Sequence, residues 1–292
     1  MDIFKLKPGL SRPYKINTVN YEKETKRQRP YMLEKNGKYQ YFAVCPECDN
    51  PIQLIGLYKN TIESGKKPYG RHYKGNIIGL ANYSEIDYFD CPFSNPTWKK
   101  DKIKRSENSP LANRILDTLK EQFDRVIYIL SKQTGIKITQ NLAKRMLTNY
   151  LKQEGWRYRR ATLNNLPWLF VQCSPAINLY GRLLKEDTPV YNAIVEKCPE
   201  VVFEKMNNYV QVKSSNEFIN LKFLFYNHQK EVVDDHLIET MTFEVFRDKG
   251  RDKQDIIYSE KITVDTDYFA NLVKYEKYRN YTLLKIAREL IE

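Results

Sequence analysis

Side chains alternate between apolar and polar through Lys38-Tyr39-Gln40-Tyr41-Phe42-Ala43-Val44, and the stretch is rich in aromatic and β-branched residues. That period of two predicts a strand running into Cys45, with Ile52 to Tyr58 as its hairpin partner. Further on the period changes. Leu111, Ile115, Leu119, Phe123, Ile127 and Leu130 recur at helical spacing, after Ser109 as a cap and Pro110 at the first helical position, and Gly135 lies just past the end. A second helix is predicted from about Thr139 to Lys152. Its apolar stripe is Leu142, Met146, Leu147, Tyr150 and Leu151, and Gly155 follows it. Beyond residue 186 the pattern returns to strands at Tyr209 to Lys213, Phe218 to Tyr226, Leu237 to Phe246 and Ile256 to Val264, before a helical tail over about Tyr268 to Leu290. Residues 1 to 30 hold three prolines and no clear period, and read as an extended arm or a strand-bearing lead-in. Gly65 to Gly79, with four glycines, reads as a loop. The predicted class is α+β: a β-hairpin module, central helices, and a C-terminal antiparallel sheet with a terminal helix.

Charge divides the chain further. Its 292 residues carry a net +12, distributed as +8 over residues 1–110, +9 over 111–185 and −5 over 186–292. With the charged linker Lys99 to Arg105 as a boundary, the expected parts are a basic module at 1–105, a basic helical region at 106–185 and an acidic α+β region at 186–292. Such asymmetry suits a basic portion that meets a polyanion or an acidic protein, and a C-terminal region used for protein contacts, self-association among them. No apolar run approaches the ~20 residues that cross a bilayer. No apolar segment follows the basic start as a secretory signal would. Five cysteines in such a chain are expected in a reducing cytoplasm, as thiols or metal-bound thiolates rather than disulfides.

The sharpest chemical signal is Cys45-Pro46-Glu47-Cys48, two thiols across a turn that Pro46 favours. Downstream lie His72 and Cys91, which complete a three-cysteine, one-histidine set of the kind that binds structural Zn²⁺. With four protein ligands no position stays open for a reactive water, so the expected role is to hold the N-terminal module together. A thioredoxin-like redox role lacks the βαβ pattern around the motif.

The stretch Tyr41 to Cys48, followed by Pro51-Ile52-Gln53-Leu54 and by Lys67-Pro68-Tyr69-Gly70-Arg71-His72, resembles the N-terminal segment of competence CoiA-like proteins. The resemblance covers about residues 38 to 75, with one histidine, His72, where that family has a pair. It implies an association with DNA processing and a nuclease-like domain downstream.

Two basic clusters fit nucleic acid: Lys99, Lys100, Lys102, Lys104 and Arg105, and then Arg157, Arg159 and Arg160 interleaved with Trp156 and Tyr158. Guanidinium groups grip phosphates and aromatic faces stack on unpaired bases. Lys144 and Arg145 are expected outward on the second helix. A divalent-metal nuclease needs clustered carboxylates and a lysine near the attacked phosphate; Glu204, Gln211 and Lys213 are the candidates, and an exposed strand face is the plain reading of them. His228 with Asp234-Asp235-His236 suits a polar turn more than a metal. No phosphate loop, dinucleotide fingerprint or serine elbow occurs. Three functions follow as expectations. The first is a non-enzymatic, zinc-stabilised nucleic-acid binder, of phage or mobile-element type. The second is a protein-interaction module, for example an inhibitor of a host nucleic-acid-handling complex, and the third a CoiA-like divalent-metal nuclease.

Overall fold

A computed structural model describes the chain except residues 10–12, 60–64, 92, 95–103, 215–219, 234–235, 251–252, 276, 278 and 292; for 90, 214, 232–233 and 236–237 it describes the backbone alone. The described strands are β1 (Ile3–Phe4), β2 (Tyr14–Lys15), β3 (Met32–Lys35), β4 (Lys38–Val44), β5 (Pro51–Ile55), β6 (Tyr69–His72), β7 (Ile136–Lys137), β8 (Ile177–Asn178), β9 (Leu183–Leu184), β10 (Val201–Met206), β11 (Tyr209–Ser214), β12 (Leu221–Val233), β13 (His236–Asp248) and β14 (Gln254–Thr263). The described helices are α1 (Thr18–Thr25), α2 (Glu85–Asp90), α3 (Pro110–Thr134), α4 (Gln140–Lys152), α5 (Leu166–Gln172), α6 (Pro189–Lys197), α7 (Thr266–Val273) and α8 (Tyr281–Leu290). This is an α+β protein. The described strands form a two-stranded sheet β1-β2 and three four-stranded sheets ordered β3-β4-β5-β6, β10-β11-β9-β7 and β14-β13-β12-β8. The residues divide into two compact units: unit 1 comprises 1–114, 157–163 and 230–238, and unit 2 comprises 115–156, 164–229 and 239–292.

In unit 1 the alternation of β4 sends successive side chains to opposite faces of its sheet. Ala43 and Cys45 join a cluster with Phe4, Ile16, Tyr21, Ile52 and Leu54, whereas Phe42 and Val44 pack with Ile77, Leu80 and Ala81. β6 arises inside the stretch expected as a loop, paired with β5 from Ile52↔His72 to Ile55↔Tyr69. Gly70 suits the close packing there, because a Cβ would sit 2.9 Å from Ile52 Cδ1 and 3.2 Å from Ile16 Cδ1 and these side chains would have to shift. The lead-in is also more regular than expected. β1 and β2 pair, and Asn17 caps α1 by accepting from the Asn20 backbone at 2.7 Å.

In unit 2 the predicted apolar stripes of α3 and α4 form the core. Ile115, Leu119, Phe123, Leu142, Met146 and Tyr150 are all buried. Phe170 of α5 completes it, with ring centroids 5.6 Å from Phe123 and 5.3 Å from Tyr150. Gly135 ends α3 with φ +71°, a left-handed conformation that glycine adopts without a Cβ penalty. In the β14-β13-β12-β8 sheet, Phe225 and Phe243 pack at 4.8 Å. The tail departs from the single expected helix. It is two helices, and the second starts at Asn280, whose side chain accepts from the Leu283 backbone at 3.2 Å. The Asp124 carboxylate fixes that start by accepting from Arg279 Nε at 2.8 Å and the Asn280 backbone at 3.0 Å. These two long-range bonds override the local helical pattern.

Candidate metal centre and charged surfaces

The turn between β4 and β5 presents Cys45 and Cys48. The Cys45 backbone donates to the Asn50 carbonyl at 2.8 Å, and Asp49 takes the left-handed φ of 62° that lets the chain reverse. His72 closes β6, and its register opposite Ile52 brings the ring back over this turn. Cys91 immediately follows α2, whose start Ser84 caps. One side chain joins these pieces. Buried Asn50 accepts from the Ser84 backbone at 2.6 Å, donates to the Ser84 carbonyl at 3.1 Å, and donates to Cys48 Sγ at 3.3 Å.

The four candidate ligand atoms lie within 4.8 Å of one another. Cys45 and Cys91 sulfurs are 3.7 Å apart, and Cys48 Sγ is 3.3 Å from His72 Nε2. A tetrahedral ion bound by thiolates at about 2.3 Å separates them by about 3.8 Å, whereas a disulfide needs about 2.05 Å. The spacing therefore fits a shared ion; none of the five cysteines is in a disulfide, and all are buried. The charge balance agrees. Burial works to raise the Cys45 thiol, but hydrogen bonds with Cys48 and Cys91 and the nearby His72 outweigh it and hold it well below its ordinary range. At Cys48 and Cys91, burial first and the Cys45 sulfur next push the thiols well above it. A bound cation favours the thiolate form of all three.

The surroundings add fixed positive charge. Lys5, almost wholly buried, donates to the Pro46 carbonyl at 3.1 Å and pairs with Asp49. Arg114 pairs with the same carboxylate and donates to the Glu47 carbonyl at 3.0 Å. The Glu47 carboxylate accepts from the Leu163 backbone at 3.0 Å. Burial, opposed by that hydrogen bond, pushes its carboxyl up to about 7. The His72 ring meets Tyr88 edge-on at 5.3 Å, and Lys74 Nζ lies 4.8 Å over the other ring. None of Lys5, Asn50 or Arg114 stands out in the sequence as part of this site, since each reaches it only through the fold.

The basic clusters have mixed fates. Lys99, Lys100 and Lys102 lie outside the described residues. Lys104 is exposed. Arg105 is 0% exposed. Its guanidinium donates to the carbonyls of Tyr158, Arg159 (2.8 Å) and Ala161 (2.9 Å), so it braces the loop that bears the second cluster instead of facing solvent. Arg157, Tyr158, Arg159 and Arg160 are half-buried in that loop; Arg157 pairs with Glu107 at 3.5 Å, and the Arg160 carbonyl accepts from Lys230 at 3.1 Å. Trp156 lies in unit 2, with its ring 6.2 Å from Tyr150. Lys144 and Arg145 are exposed on α4 as expected.

Glu204 and Gln211 face one another across the β10–β11 ladder, and Lys213 Nζ lies 3.5 Å from Glu204 in a surface ion pair. Gln211 donates to the Gly181 carbonyl at 3.0 Å. Among the described residues, the only group of three or more metal-ligating side chains is the Cys45–Cys48–His72–Cys91 set. His228 pairs with Glu239 at 2.5 Å, and Asp234 and Asp235 lie outside the described residues. No described helix is long and apolar enough to cross a membrane. Comparison of the chain with protein-family models, with curated proteins and with solved structures finds no match.

Proposed function

We propose that this chain is a nucleic-acid-binding protein whose basic unit is held together by a structural Zn²⁺. Cys45, Cys48 and Cys91 would bind as thiolates and His72 through Nε2, the nitrogen that faces Cys48. Zn²⁺ there supplies folding energy and charge balance, and four protein ligands leave it no position for a substrate. The observation that carries the binding reading is the partition of charge. Unit 1 holds 25 Lys and Arg against 15 Asp and Glu, while unit 2 holds 23 against 21. In unit 1 Arg71, Lys74 and Lys104 are exposed, the first two on either side of His72. Such a surface favours phosphate backbones with little sequence preference.

A second reading, a protein-interaction module acting in the cytoplasm, draws on apolar exposure in the same unit. Ile78 is 95% exposed, Ile86 68% and Phe89 55%, and side chains of this kind mark a protein-contact surface where they form one contiguous patch. Self-association through the acidic C-terminal region belongs to the same reading.

Titration of fluorescent single- and double-stranded DNA and RNA against the intact protein separates the two. Nucleic-acid binding should weaken linearly in log–log form with salt, by a slope of about 0.9 per duplex phosphate neutralised. Absence of binding at low salt would remove the first reading and leave the second. Cleavage that needs Mg²⁺ and is lost in Lys213→Ala would replace both with the nuclease alternative.

A further inference from the structure

Unit 2 contains a cleft of about 360 Å³ between α4 and the segment from Ser174 to Arg182. Its polar lining is Arg145, Asn149, Ser174, Asn178, Tyr180 and Arg182, and no carboxylate is among its lining residues. Three observations make it more than a surface dent. Two guanidinium groups face one space: burial lowers the readiness of Arg182 to hold its charge, and the Arg145 charge lowers it again. Among the described residues neither arginine has a carboxylate partner; Arg182 Nε donates only to the Asn178 carbonyl, at 3.3 Å. Finally, the Ser174 hydroxyl is buried with no hydrogen-bond partner. A buried hydroxyl left in that state is destabilising, and two like charges converging without a counter-ion add to the cost.

We infer that this cleft binds a phosphate group, with Arg145 and Arg182 as the charged donors and Ser174 and Asn149 as neutral ones. A tetrahedral dianion answers each feature at once. It neutralises both guanidinium groups, accepts several hydrogen bonds in different directions, and gives the Ser174 hydroxyl an acceptor. A carboxylate has fewer acceptor directions and half the charge. An adjoining cleft shares Asn149 and Ser174 and adds Lys152 and Gln153, which leaves room for the rest of a phosphate ester. All of these residues lie in unit 2, whereas the metal ligands and the basic surface of the nucleic-acid reading belong to unit 1.

The test is calorimetric titration of the full chain with inorganic phosphate, then with AMP, and with an oligonucleotide carrying or lacking a 5′-phosphate. Saturable binding of phosphate by the wild type is expected, weakened about tenfold or more in Arg145→Ala and in Arg182→Gln, and less in Ser174→Ala. Arg145 is exposed and packs no core, so its variant stays informative if Arg182→Gln unfolds; circular dichroism checks the fold of each. No saturable phosphate binding, or equal binding by wild type and Arg145→Ala, overturns the inference. Preference for AMP over the 5′-phosphorylated strand supports it and assigns a free nucleotide; the reverse supports it and assigns a strand end. Phosphate binding with no affinity for any oligonucleotide keeps the cleft and removes the nucleic-acid reading.

Discussion

Asn50 donates its side-chain amide to the Cys48 sulfur at 3.3 Å while its other contacts hold the backbone at Ser84, where the helix leading to Cys91 begins. One residue thus orients two ligands from different segments. Partners of this kind that orient ligands tune metal affinity by about 10–100-fold. Asn50→Asp keeps the shape, loses the donor to sulfur and adds a negative charge. Its Zn²⁺ affinity, measured by competition with a chromophoric chelator, should fall within that range, with the stoichiometry unchanged at saturation. Unaltered affinity would mean that Asn50 serves the turn alone.

Metal removal should act on one unit. Purified protein is expected to hold one zinc per chain, and a strong chelator should melt the region around the four ligands. Hydrogen exchange would then rise over β4 to β6 and α2 and stay slow in α4 and α5, whose burial owes nothing to the ion. Cys45→Ser should reproduce that pattern. Protein that stays protected over β4 to β6 after chelation, or that never contained metal, would contradict a structural ion.

Arg105 should behave as a core residue. Its three carbonyl partners need a fork with several N–H groups, which lysine does not have. Arg105→Ala should cost about 3 kcal/mol or more, because it strands buried carbonyls, and Arg105→Lys should recover only part of that in urea unfolding. Lys104→Ala, one residue away and exposed, should leave stability unchanged. If Arg105→Ala weakened nucleic-acid binding with no loss of stability, the residue would be a surface contact after all.

At low pH one surface carboxylate should matter. Lys222 at 2.7 Å, and then the Gly250 backbone, hold Asp248 below its ordinary 3.8. A carboxylate with a lowered folded value binds protons more weakly in the folded state than in the unfolded one. Its contribution is therefore present above about pH 4 and is lost as pH falls through the folded value. Asp248→Asn should lack that part of the acid dependence, as read by urea midpoints between pH 5 and 2. Parallel curves for wild type and variant would show that the pair is fully screened.

The four candidate ligands were readable because cysteine and histidine advertise their chemistry by type and spacing, with no help from the fold. The helix α3 was readable for a related reason, since Ser109, Pro110 and Gly135 mark its ends locally, and α4 through its apolar stripe and the Gly155 that follows it. Arg105 was not readable. In sequence it is the last of a run of basic residues, and the partners that draw it inward, the backbone of 157–161, lie more than fifty residues later. The break in the C-terminal helical pattern was hidden similarly, because Asp124, which anchors Asn280, lies 156 residues earlier. The phosphate cleft escaped because Ser174 and Arg182 sit in an irregular segment with no motif, and acquire their meaning from Arg145 on another element.

Unit 1 is assembled from three stretches of chain, the last of them residues 230–238. During synthesis the ribosome therefore delivers all four metal ligands long before it delivers the segments that finish the unit around them. Glu47 must wait for Leu163 and Arg105 for the carbonyls of 158–161. A fragment ending at residue 114 would retain the ligands but lack those partners, so an expression boundary drawn from the cysteine motif alone would cut through the unit it was meant to isolate.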